Sequence, residues 1–175
     1  MECSVQKVCV SCVGDHRTEI SSYSRASRRS HFARLMHAGM DGFIRDHVTR
    51  LHGEMDRAAF RILRPGMSYS ALAKRLKRYR DDIFKDKYRK LARTQPAGTV
   101  TAHLAHDCYA HIHPSQLRTI SPREAARLQS FPDGFEFCGD MGQRFRQIGN
   151  AVPPLLAYRI GLALAAQLTR RKNKR

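Results

Sequence analysis

Three clusters in this 175-residue chain combine residue types and spacing that chemistry can use. The first is Gly149-Asn150-Ala151-Val152-Pro153-Pro154, which reads as the start of a helix running from about Leu155 to Leu168. Free N–H groups and the positive end of the helix dipole collect at such a start, so the chain around Asn150 is expected to suit a carboxylate or phosphate. The second cluster is His103, His106, Asp107, Cys108, His111 and His113, residue types that ligate zinc. Their spacing fits alternation on the two faces of a hairpin better than convergence on one ion, so no metal is assigned there. The third is Cys9 and Cys12, whose two-residue gap lets two thiolates share a metal, with Cys3 and His16 nearby. A second such pair is missing, and residues 1–22 read as an irregular leader.

The elements that must position these clusters follow from pattern and punctuation. Ser121 can cap a helix, Pro122 fits its first turn, and Glu124 can reach back to complete a capping box. Ala125, Ala126 and Leu128 then face a core until Phe131-Pro132-Asp133-Gly134 stops the helix, and a glycine-punctuated loop leads on to Gly149. Upstream, Phe32, Leu35 and Met36 form one helical stripe ended by Gly39. Leu51, Met55, Ala58, Ala59, Ile62 and Leu63 form a second, predicted to run from Val48 to Leu63 before Pro65-Gly66. The alternation from Thr99 to Leu104 predicts a strand, with Tyr109 to Ile112 returning across a turn at His106-Asp107.

Charge narrows the partner. Lys and Arg outnumber Asp and Glu by 32 to 15, a net charge of +17, which favours a polyanion because each neutralised phosphate releases counterions. The excess is densest from Lys74 to Arg93, where ten of twenty residues are basic and Tyr79, Phe84 and Tyr88 are interleaved. Basic side chains there are candidates for contacts to a DNA backbone. Five cysteines, with no secretory leader, fit a reducing, cytoplasmic setting. The apolar run Leu155–Leu168 is broken by Tyr158, Arg159 and Gln167, so it reads as a core helix and no membrane is expected.

Two blocks carry a family resemblance. REAARLQSFPD followed by RQIGNAVPP resembles the last two conserved blocks of the C5 cytosine DNA methyltransferases, in family order. DKYRKLARTQPAGTVTAHLAHDCYAHIHPSQLRTI resembles the end of the target-recognition region of bacterial members, and looser similarity runs back to about Tyr23. The resemblance implies a C-terminal fragment of the Rossmann-like α/β methyltransferase fold, mostly helical with a small β-hairpin. It implies a target-recognition-like region over 23–120, a supporting helix, loop and final helix over 121–169, and a basic tail over 170–175.

It also implies double-stranded DNA as partner, S-adenosylmethionine as cofactor, a nucleoid-associated location, and a role in restriction–modification. Asn150 and Ala151 would approach the methionine end of the cofactor, with alanine where the family often has serine. Arg123, Glu124 and Arg127 would brace the recognition region, through a buried ion pair between an arginine and Glu124.

Family members attack the base with a cysteine that follows a proline, assisted by a Glu-Asn-Val block, and hold the cofactor on a Phe-x-Gly-x-Gly loop. None of these is present: the residues before the five cysteines are Glu2, Val8, Ser11, Asp107 and Phe137. No catalytic residue is therefore assigned. The implied protein is one part of a split enzyme completed by a separate catalytic chain, with an inactive remnant or a DNA-binding protein as the alternatives.

Overall fold

A computed structural model describes residues 20–22, 31–37, 43–77, 80 and 87–172. The leader cysteines, Gly39, Tyr79 and Phe84 lie outside the described residues. In chain order the elements are β1 (Ile20–Ser22), α1 (His31–Met36), β2 (Phe43–Arg45), α2 (Glu54–Ile62), α3 (Pro122–Leu128), α4 (Met141–Asn150) and α5 (Pro154–Lys172), with 3-10 turns at Tyr69–Ala71, Lys74–Leu76 and Ala102–Ala105. The strands β1 and β2 pair antiparallel, Ser21 opposite Ile44, so the small sheet draws on the end of the expected leader.

Helix α3 forms as its sequence dictates. Ser121 Oγ accepts the Glu124 N–H at 3.2 Å, and Glu124 Oε2 accepts the Ser121 N–H at 2.8 Å. Ala125 and Ala126 are buried in a core with Leu91, Val100, Ile120, Phe145 and Ile148. A second core joins Phe60 and Leu63 of α2 to Tyr69, Leu72, Tyr88 and Ile112. Between the two, Ile112 bridges to both Lys90 and Thr119, which ties the basic interval to the segment leading into α3.

Three expectations are corrected. The hairpin over 99–112 does not form, and residues 102–105 make a 3-10 turn instead. From Thr99 to Tyr109 the buried positions are Val100, Leu104 and Cys108, at steps of four, which is a helical and not a strand period. The second upstream helix begins at Glu54 rather than Val48, because His47 and His52 use their rings on Ser121 Oγ and Thr119 Oγ1, and residues 47–53 run out of helical register. The expected loop before Gly149 is the helix α4, begun by Asp140, whose carboxylate caps the Gln143 N–H while Gln143 Oε1 accepts the Asp140 N–H. Gly149 and Asn150 therefore end a helix, and the next one starts at Pro154.

The run Leu155–Leu168, expected as a core helix, forms α5 but stands apart from both cores. Leu155, Leu156, Tyr158, Ile160, Leu162, Leu164 and Leu168 are all exposed, and their positions run round the whole helix rather than along one side. By length and composition alone, Met141–Arg170 is apolar enough to cross a membrane.

Acid should unfold this protein early. Burial holds His47, His52, His111 and His113 below the ordinary histidine value, His113 at about 4. The unfolded chain takes up those protons near pH 6.5, so stability is intact above that value and falls progressively toward pH 4. Burial alone would raise the Glu124 carboxyl, but Arg118, His47 and His113 outweigh it and hold it below the carboxylate range, which adds to the acid loss. Urea unfolding midpoints should drop steadily from pH 7 to pH 5. A flat response over that range would show that these rings are not buried in their neutral form.

Candidate functional site

The site is built on α3, whose charged residues point inward. Arg123 is fully buried and donates to Asp46 Oδ2 at 2.8 Å and to the carbonyls of Arg45 and Phe135, with its guanidinium 5.6 Å from the centre of the Phe137 ring. Asp46 has a φ of 62°, in the left-handed region, and also takes Arg144 of α4 at 3.1 Å. Arg127 forms a bidentate pair with Asp133 at 2.8 and 2.7 Å, and the same carboxylate meets His37. The arginine that pairs with Glu124 is Arg118, with both nitrogens at 2.7 Å, while Arg118 Nε donates to Gln116 Oε1.

A second set of contacts fixes the turn around Asn150. Arg50 donates to the carbonyls of Leu104, Ala105 and His106 and lies 5.5 Å from the centre of the Phe145 ring, which fastens the 3-10 turn to α4. Gly149 faces that turn so closely that an added Cβ would overlap the backbone of Thr101 and Ala102. Gln129 donates to the Ile148 carbonyl, and Ser130 Oγ accepts the Leu155 N–H at 3.1 Å. The α3–α4–α5 junction is thus held from three sides.

The helix expected to start at Gly149-Asn150 starts at Pro154, which changes the groups this turn presents. Pro153 and Pro154 have no N–H, Leu155 gives its N–H to Ser130, and Ala151 gives its own to Ile148 at 3.3 Å. The Asn150 side chain there is exposed and has no partner among the described residues.

The histidines go to separate partners. His111 Nε2 lies 3.3 Å from the Gly98 carbonyl, His113 Nδ1 accepts N–H groups of Ser115 and Gln116, and His103 faces Lys87. Among the described residues no three metal-ligating side chains gather. Cys108 donates to the Leu104 carbonyl, and burial pushes its thiol up to about 12, so it stays protonated at neutral pH.

Of the basic interval, Lys74, Arg75, Arg89 and Arg93 are exposed, whereas Lys87 pairs with Asp107 at 2.8 Å and Lys90 donates to the Phe60 carbonyl. Tyr88 is buried, stacks on Tyr109 and donates to Asp56, so it packs rather than stacking on a base. Arg50, Asp46 and Arg118 were missed in the sequence because their partners lie more than fifty residues away or on the opposite side of a turn. Asp140 was legible, since Asp-x-x-Gln is a capping-box spacing.

The family model for C-5 cytosine-specific DNA methylase matches residues 20–166, which includes α3, α4 and most of α5. The chain belongs to that family. It is 56% identical over 86 residues to a candidate type II methyltransferase, M.OihORF3336P, of Oceanobacillus iheyensis, covering 49% of this chain and 19% of that protein. It is also 56% identical over 73 residues to the type II methyltransferase M.AgeI of Thalassovita gelatinovora, covering 42% of this chain and 17% of that one. A solved structure of a candidate prophage-encoded DNA modification methyltransferase (E. coli) superposes with a TM-score of 0.59 at 25% identity, over 79% of this chain and 37% of the other. The fold is a portion of the methyltransferase fold, and the chain spans about a fifth of the length of the curated relatives it matches.

Gly149→Ala should be strongly destabilising, by at least the 1–3 kcal/mol typical of overpacking, because the atoms it meets are backbone and cannot rotate away. Gly53→Ala, with open space around it, is the matched control. Equal unfolding midpoints for the two variants would refute the close approach.

Proposed function

We propose that this chain is the C-terminal part of a DNA (cytosine-5-)-methyltransferase. Residues 23–120 supply target recognition, and residues 121–169 brace that region and contribute Asn150 and Ala151 to the S-adenosylmethionine site. Arg123, Glu124 and Arg127 act through structure alone, by fixing α3 between the recognition segment and α4. The cofactor supplies the methyl group. The cysteine nucleophile, its glutamate and the glycine-rich loop come from outside these 175 residues.

The observation that carries this reading is α5, a 19-residue helix whose large apolar side chains lie on every side of it and which is exposed from Leu155 to Arg170. Such a surface requires cover. A protein partner is favoured over a lipid bilayer for two reasons. The first turn of α5 is tied to Ser130 next to α3, and the family match continues through the helix to residue 166. The net charge of +17 supports a second reading, a DNA-binding protein without catalysis.

Transfer of tritiated methyl groups from S-adenosylmethionine to DNA separates the two. Activity of the chain only when its catalytic partner is added supports the split enzyme. Salt-dependent DNA binding with no activity under either condition supports the binding protein. In the assembled enzyme, Asn150→Ala should weaken cofactor binding about three- to tenfold, the range of one neutral hydrogen bond. Unchanged affinity would remove Asn150 from the cofactor site. Lys74→Ala and Arg75→Ala should weaken DNA binding and reduce the slope of log affinity against log salt by about 0.9 for each phosphate left without its cation.

A further inference from the structure

Directly after the basic interval the chain makes a tight turn over residues 92–95, closed by the Gln95 N–H on the Ala92 carbonyl at 3.4 Å. Arg93, Thr94 and Gln95 are consecutively exposed on it, and none of their side chains bonds to a described residue. In contrast, Arg50, Arg118, Arg123, Arg127 and Arg144 are all engaged with carbonyls or carboxylates. The base of the turn is rigid. Lys90 exchanges backbone hydrogen bonds with Met67 and Gly66, Leu91 donates to Ile112, and the Gly98 carbonyl faces His111 Nε2. Arg93 and Gln95 also line a shallow depression with Leu91, Ala97, Pro114 and Leu128.

We propose that the Arg93–Gln95 turn reads base edges in the DNA major groove, and so determines sequence specificity rather than general affinity. This rests on the DNA-binding reading above. A guanidinium has the fork geometry for guanine O6 and N7, a primary amide has the donor–acceptor pair for adenine N6 and N7, and an apolar hollow beside them suits a thymine methyl. Phosphate oxygens also accept from arginine and glutamine, so base readout is separated from a phosphate contact by its sequence dependence and its salt slope. A rigid base matters because discrimination between bases requires donors held in place before contact.

The test is selection by the full chain from a randomised duplex library, followed by affinity measurements for Arg93→Ala, Gln95→Ala and Lys74→Ala. These side chains are exposed, so thermal unfolding should be unchanged in all three. Arg93→Ala and Gln95→Ala should each lose roughly ten- to a hundredfold discrimination at one base pair of the selected site, at an unchanged salt slope. Lys74→Ala should weaken all sequences equally and flatten the slope. Uniform weakening by Arg93→Ala with a flatter slope would make the turn a phosphate contact and overturn the proposal. Salt-dependent binding that enriches no sequence would overturn the proposal while leaving the DNA-binding reading intact, and absence of any binding would remove both.

Discussion

The structure depends on a helix that buries its charges. Over a single turn and a half, α3 places Arg123, Glu124 and Arg127 inside the protein, and each meets an opposite charge contributed by a different stretch of chain. Asp46 follows β2, Arg118 precedes the helix, and Asp133 follows it. Burying such ions costs several kcal/mol each unless they are paired and hydrogen-bonded, so the three pairs must form together with the fold around them. Their effect is to make α3 a junction whose geometry is prescribed on every side. Asp46 extends that prescription to α4 through Arg144, at the expense of a strained backbone angle.

What was legible in the sequence was local. The Ser121–Glu124 capping box and the stop at Phe131-Pro132 each depend on residues within one or two turns, and each has the form expected. The alternation from Thr99 to Leu104 misled because it was counted without its neighbour. Once α4 packs on that segment, with only glycine at position 149 to admit its backbone, burial at every fourth residue decides the conformation. The missed helix α4 had its cap in plain sight at Asp140, but its two glycines, Gly142 and Gly149, weighed more heavily as loop signals than they do in a helix held by tertiary contacts.

The candidate site shows the same division. That Asn150 lies at the end of a helix and not at the start of one follows from α4, and it changes the chemistry offered there from backbone donors to a side-chain amide. The acidic partner of Arg123 and the carbonyl partners of Arg50 are separated from them by 77 and at least 54 residues, distances over which periodicity carries no information. The histidine-rich stretch illustrates the converse, since residues adjacent in sequence are directed to carbonyls, amides and a lysine on different sides of the fold.

Alongside the packing of Leu104 with Phe145 and Ile148, α4 and Arg50 grip the segment around residues 101–106 by its main chain. Arg50 holds three carbonyl oxygens, and Gly149 abuts peptide atoms of Thr101 and Ala102. Carbonyls are the same whatever side chain they carry. The exposed turn upstream can therefore diverge in sequence without loosening these main-chain holds, which makes this part of the protein a socket for turns of different wording.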